Sequence, residues 1–278
     1  MELTADGLPR PVDVKSKDLH IRLAETPDEV RLAQQLRYQV FVEEMAVVPS
    51  DEMRREGREF DSYDPYCDHL LVFDNSPDAS PQKVIATYRF MRREQARKAG
   101  QFYTQGEYDI SPLLDYPGEI MELGRSCVHR DHRTGIGMQV LWRGIAAYVM
   151  HFNVDLMFGC ASLFGTDVDK LALPLAYLHH NHIAPENLRP RALPELYTDM
   201  NLLTSEEIDA KAALMSLPPL IKGYLRLGGW VGDGAVVDHS FGTTDVCVVV
   251  KTDGVTEKYR KHLTRGEGET RPTSGEGH

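Results

Sequence analysis

The feature that most constrains this chain is an uninterrupted succession of strand, glycine turn, long helix and strand. Ile120–Val128 is a β-rich run, and His132–Gly137 is a turn carrying two glycines. Met138, Leu141, Trp142, Ile145, Val149 and Phe152 then recur at helical spacing, and Val154–Cys160 is a second apolar run of strand length. Such a unit predicts a mixed α/β chain built around one sheet. The flanking segments agree. Leu19–Leu23 alternates as a strand, and Thr26-Pro27-Asp28-Glu29 is a capping box with proline at the first helical position. The apolar stripe Val30, Ala33, Leu36, Val40, Phe41 carries that helix to about Glu44. Residues 46–66 read as a long polar loop, and His69–Phe73 with Val84–Phe90 as a hairpin. A helix follows Asp167, Thr204 and Glu207 cap another, and Ala235–Val237 and Asp245–Lys251 are late strands. Residues 1–18 are expected to be a flexible arm. Residues 266–278, without a large apolar group, are expected to be a disordered tail, leaving 19–265 as one domain.

Charge narrows the partners. With 31 basic and 42 acidic residues the chain carries −11, a poor field for nucleic acid. Its four cysteines stand far apart, which is neither a zinc spacing nor a disulfide framework and suits a reducing cytoplasm. No metal is expected. His179, His180 and His182 lack an acidic or cysteine partner at ligand spacing, and Cys160-Ala-Ser162 is not a nucleophile elbow. The N-terminus lacks the apolar core of a signal peptide, and no run approaches the ~20 apolar residues of a spanning helix.

Four constellations can carry chemistry. Strand alternation puts Glu122, Gly124 and Ser126 on one face and Leu123, Arg125 and Cys127 on the other. A carboxylate inside an apolar strand is tuned by burial toward general-base work, although a structural Glu–Arg pair across a sheet edge fits the same residues. The turn 132–137 leads into a helix whose free N–H groups can hold a phosphate, with Arg130 and Arg133 adding charge. It is neither a Walker loop nor a dinucleotide fingerprint. Arg37, Phe41 and Glu44 share one side of the first helix and precede Glu59, Asp61 and Asp64, which otherwise read as a solvated charged loop. Arg89, Arg92, Arg93, Arg97 and Lys98 form a basic island in an acidic chain, able to dock an acidic partner or merely to stay wet.

Together these residues resemble the GNAT acyltransferase core. The set Arg37, Phe41, Glu44, then Glu59, Asp61, Asp64, then Arg89, Glu122 and Arg125 is similar to its acyl-homoserine-lactone synthase branch. LRYQVFVEEM (36–45), ELGRSCV (122–128), LWRGIAAYVMHFNVDLMFGCASLFGTD (141–167) and LPPLIKGYLRLGGWVGDGAVVDHSFGTTDV (217–246) look like the ornithine N-acyltransferases, a likeness that covers about residues 20–262. His132 departs from the Gln or Arg usual in the GNAT loop, and Val42–Asp51 lacks the tryptophan of the lactone synthases. The resemblance implies a GNAT-like mixed central sheet flanked by helices, with an added C-terminal segment. It implies transfer of a 3-hydroxy fatty acyl group from acyl carrier protein to the α-amino group of ornithine, giving lyso-ornithine lipid. Transfer to another amino acid such as glutamine, a lactone-type signal synthase, and an inactive acyl-chain sensor are the alternatives. Glu122 and Arg125 would be catalytic. Arg133, Gly135 and Gly137 would hold the phosphopantetheine phosphate, and backbone N–H groups of Ser126, Cys127 and Val128 the thioester oxyanion. Arg37, Phe41, Glu44, Asp61 and Asp64 would receive the amine substrate, and Arg89, Arg92, Arg93, Arg97 and Lys98 the carrier protein. No cofactor would be bound permanently, and contact with the inner membrane surface would be transient.

Overall fold

A computed structural model of the 278-residue chain describes residues 10–77, 83–133 and 136–253, without the side chains of 136–139. The chain runs through β1 (Asp13–Ser16), β2 (Leu19–Leu23), α1 (Pro27–Arg37), α2 (Asp51–Glu56), β3 (Asp68–Asp74), β4 (Lys83–Arg92) and α3 (Arg93–Ala99). It continues through β5 (Tyr108–Asp109), α4 (Ser111–Leu114), β6 (Glu119–Val128), α5 (Ile136–Phe152), β7 (Val154–Phe164) and α6 (Ala172–His182). The added C-terminal segment holds β8 (Arg191–Ala192), β9 (Tyr197–Thr198), α7 (Ala210–Ser216), α8 (Pro219–Arg226), β10 (Trp230–Val231), β11 (Ala235–Asp238) and β12 (Thr243–Lys251). One sheet dominates, in the order β1-β2-β3-β4-β6-β7-β12-β11-β9. Its neighbours are antiparallel except β6 and β7, which the crossover helix α5 makes parallel.

Local signals explain the elements. Thr26 Oγ1 accepts from the Glu29 N–H, opening α1 as expected. After Arg37 the helix widens into a π-helix, Tyr38–Glu44. The polar stretch after it is not wholly loop: Ser50 caps α2 and a left-handed Gly57 (φ +62°) ends it. The Thr204–Glu207 pair closes only a 3-10 turn, and the helix beyond it is capped by Asp209. The described part of the expected arm 1–18 is strand rather than arm. Asp13–Ser16 pairs with β2, and Val12 and Val14 are buried. A Val-x-Val run is too brief to announce a strand; the exposed edge of β2 recruits it. The tail 266–278 lies outside the described residues.

One face of the sheet is covered by α5, whose Leu141, Ile145, Tyr148 and Val149 pack on Ile21, Leu70, Phe90 and Met157. The other face carries two half-cores. Ala33, Leu36 and Val40 cover Leu71 and Phe73 on one side. Phe102, Tyr108, Ile110 and Leu113 cover Ile120, Phe158 and Val249 on the other.

Between them the sheet forks. Pairing of β6 with β7 stops at Glu122↔Phe158, although both strands continue, to Val128 and Phe164. A β-bulge turns β6 away: its register against β4 shifts between Thr87 and Arg89, and Arg125 sits at φ +53°. At the crotch, a Cβ on Gly159 would lie 2.2 Å from the Leu123 carbonyl oxygen. Gly159→Ala should therefore destabilise the protein by about 1–3 kcal/mol through overpacking, read as a lowered thermal midpoint.

Candidate active site

The bulge reverses the expected parity of β6. Cross-strand neighbours share a face, so Glu122, Gly124 and Cys127 lie with Met91, Arg89 and Thr87. Arg125 joins that face through its ion pairs, and Ser126 turns to the opposite side beside the Tyr88 hydroxyl. One inserted residue flips every side chain that follows, which simple alternation cannot foresee.

The fork is a cavity of about 500 Å³. One wall is β6 from Glu122 to Val128, the other is β7 at Cys160–Ser162, and Pro218–Leu220 closes the α5 side. Past Glu122 the β6 backbone groups that face β7 have no ladder partner there.

Glu122 is 5% exposed. Its Oε1 accepts from the Thr104 N–H at 2.6 Å and the Thr104 hydroxyl at 2.5 Å, and its Oε2 from the Tyr103 N–H at 2.9 Å. Burial pushes its pKa above the ordinary carboxylate value, against these donors. Sequence reading missed the Tyr103–Thr104 cradle, which belongs to a 3-10 turn without side-chain periodicity.

The acidic loop does not solvate its charges. Asp64 accepts from Arg37 Nη1 at 3.0 Å, from Arg89 Nη1 at 2.7 Å and from Gln34 at 2.9 Å. Glu59 pairs with Arg37 at 2.6 Å and with Arg125 at 3.1 Å. Asp61 pairs with Arg89 at 2.6 Å and with Arg125 at 3.1 Å. Although burial opposes ionisation, Arg37 and Arg89 hold Asp64, and Arg89 and Arg125 hold Asp61, below the ordinary aspartate value. Burial likewise opposes the charge on Arg125, yet Glu59, Tyr103 and Asp61 raise its pKa. Its guanidinium also lies 4.8 Å from the Tyr103 ring centre and 5.1 Å from that of Phe241.

This network corrects the expected amine site. Arg37 is 1% and Asp64 4% exposed; each already has its counter-charges, and neither these two nor Asp61 lines the cavity. Phe41 does line it. Glu44 faces the loop before α5, pairing with Arg133 at 2.7 Å and Arg130 at 3.4 Å. Arg133 borders the cavity and donates to the Val128 carbonyl at 3.0 Å. Gly135 lies outside the described residues, and Gly137 falls in the first turn of α5.

A model of the acetyltransferase (GNAT) domain matches residues 36–143. The L-ornithine N(alpha)-acyltransferase of Rhodobacter capsulatus is 46% identical over 246 residues, covering 88% of this chain and 94% of its own. That of Brucella abortus is 45% identical over 244 residues, covering 87% of each. The chain belongs to the L-ornithine N(alpha)-acyltransferase family. Among solved structures, a CoA-dependent acyl-homoserine lactone synthase matches 86% of the chain and 83% of its own, with 13% identity and a TM-score of 0.46. An N-acyl amino acid synthase from uncultured soil microbes matches 87% and 93%, with 7% identity and a TM-score of 0.41.

In this ornithine acyltransferase family member the basic island dissolves. Arg89 is buried in the ion-pair network and presents no surface to a carrier protein. Arg92 donates to the Tyr148 hydroxyl at 2.8 Å, its guanidinium 3.9 Å from the Phe152 ring centre. Arg93 donates to the carbonyls of Leu113, Leu114, Tyr116 and Gly118, the closest at 2.6 Å. Arg97 and Lys98 are exposed, Lys98 pairing with Glu94 one turn away. A run of like charges in sequence gives no warning that helix and strand geometry will send its members in different directions. Arg93→Ala should lower the thermal midpoint through the carbonyls left without a donor, whereas Arg97→Glu should leave it unchanged.

Other residues at the cavity escaped the sequence reading. Asp238, Thr243 and Asp245 line it, and Asp245 is 7% exposed. Glu107 stands behind Cys160, its Oε2 3.2 Å from Sγ, and burial with the nearby Asp245 pushes its pKa up to about 7. In sequence Asp245 heads the apolar run of the expected strand Asp245–Lys251, where a lone acid reads as a terminus, whereas β12 already begins at Thr243.

Proposed function

We propose that this chain is an acyltransferase that moves a 3-hydroxy fatty acyl group from acyl carrier protein to the α-amino group of ornithine. The product would be lyso-ornithine lipid. One observation carries the reading: a buried carboxylate, Glu122, with its affinity for protons raised, at the crotch of a cavity open between two diverging parallel strands. The relatives named for acylating ornithine support the choice of acceptor.

The α-amine arrives as an ammonium and is no nucleophile until it loses a proton. Glu122 takes that proton, directly or through one water. The freed lone pair attacks the thioester carbon and the C=O electrons move onto oxygen. Backbone N–H groups of Ser126–Val128 that face the fork rather than β4 would stabilise this charge. Collapse re-forms C=O and breaks the C–S bond; the phosphopantetheine thiolate leaves and takes up the surplus proton that the newly acylated nitrogen gives up. Arg125, locked to Glu59 and Asp61, acts through the Tyr103 turn that holds Glu122. Arg133 and the start of α5, with Gly135 and Gly137, would take the phosphate of the donor arm, which comes and goes as substrate rather than as a resident cofactor.

No helix among the described residues is long and apolar enough to cross a membrane. Because the product is amphipathic, we place the enzyme in the cytoplasm with transient contact at the inner membrane surface. The test is purified protein with 3-hydroxyacyl carrier protein and ornithine, followed by mass spectrometry. N-acyl-ornithine is the expected product. Its absence overturns the reading, and a reaction supported by acyl-CoA but not by the carrier protein overturns the donor.

A further inference from the structure

The charges around the cavity do not balance. Arg37, Arg89 and Arg125 are matched by Glu59, Asp61 and Asp64, and Arg133 by Glu44. Glu122, Asp238 and Asp245 line the cavity outside that network, with Glu107 behind them. Asp245 stands out among them. It is 7% exposed, and its Oδ1 has no hydrogen-bond partner among the described residues. The hydroxyls of Ser162 and Thr243 favour its charged form by hydrogen bonding but bring no positive charge, and Thr243 Oγ1 is itself buried without a close partner. Arg125 is the cation it feels, and Arg125 is already committed to Glu59 and Asp61. Burial holds such a carboxylate toward its neutral form until a cation arrives to pair with it.

The position suits a particular cation. Asp245 stands opposite Ser162 on β7, and Glu122 opposite Phe158. At about 3.3 Å per residue these positions are roughly 13 Å apart along the strand. An extended diamino acid with a hydrogen bond at each end spans a comparable length. Among the described residues no group of His, Cys, Asp and Glu is placed to hold a metal ion, so an organic ammonium is the better match.

We infer that Asp245, with Asp238 beside it, receives the distal ammonium of the acceptor, so that the site selects a diamino acid over a neutral amino acid of the same length. The inference rests on the acyl-transfer reading above. Burial and the neighbouring Asp238 raise the Asp245 pKa, and an ammonium beside the carboxyl would reverse that shift.

The experiment compares ornithine with norvaline, which has the same carbon chain but lacks the second amine, in wild type and Asp245→Asn. Wild type should favour ornithine in kcat/KM. Asp245→Asn should reduce the ornithine-to-norvaline ratio by about 100-fold, mainly through KM for ornithine. An unchanged ratio overturns the inference while leaving acyl transfer intact. A wild-type enzyme that acylates neither amino acid overturns the acyl-transfer reading instead. Should Asp245→Asn fail to fold, Asp238→Asn reads the same ratio and should lower it several-fold; no change there is equally fatal.

Discussion

Glu122→Gln should fold and turn over at least about 100-fold more slowly than wild type, because the amide cannot accept the proton of the attacking ammonium. The substitution is nearly isosteric, and the amide oxygen can still accept from Thr104. Its nitrogen, however, would face the Tyr103 N–H, donor against donor, where Oε2 now accepts at 2.9 Å. A stability loss of about 1–3 kcal/mol follows, measurable separately from activity by denaturant titration. The pH profile distinguishes a base from a structural acid. With Glu122 held above the ordinary carboxylate value, wild-type kcat/KM should rise with pH through that raised pKa and then level. The Gln variant should lack this rising limb. Turnover close to wild type would remove Glu122 as the base.

Asp64→Ala should be strongly destabilising, costing about 3–5 kcal/mol. It leaves Arg37, 1% exposed, and Arg89, 5% exposed, short of a shared counter-ion. Urea unfolding reads the loss directly. Linkage supplies a second signature. Asp64 has a folded pKa below its unfolded value, so its contribution is fully present above an unfolded pKa of about 4 and is lost as pH falls below it. Wild type should therefore lose stability on acidification below about pH 4, and the Ala variant should show a shallower slope there. A variant as stable as wild type, or a slope that does not change, would mean that the network contributes nothing net.

These two residues mark the limits of reading function from the chain. Glu122 was visible because a carboxylate within an apolar strand is conspicuous wherever that strand packs. Asp64 is conspicuous in sequence too, but its partners are Arg37 and Arg89 rather than a substrate amine. Its spacing from Arg37 and Arg89 says nothing about whether those charges meet each other or a substrate. The same holds for Arg93. Its neighbours in sequence suggest a docking patch, whereas the turn after α4 brings carbonyls to its guanidinium from 20 to 25 residues away. Asp245 gives no signal in sequence, because an unpartnered oxygen is a property of three-dimensional surroundings.

Local physics along the chain was enough for the strand–turn–helix–strand unit, the β3–β4 hairpin and the Thr26 cap. Periodicity, capping and turn chemistry act over a few residues and need no distant partner. The family resemblance likewise rested on motifs readable in order. Folding alone decided the parity of β6 beyond Gly124, the closure of three arginines upon three acids, and the exposure of Asp238 and Asp245 to one cavity. Each depends on which strand lies beside which, and on a single bulged residue at Arg125. Register and charge pairing between distant segments are set by packing the whole sheet at once, not by any window of sequence.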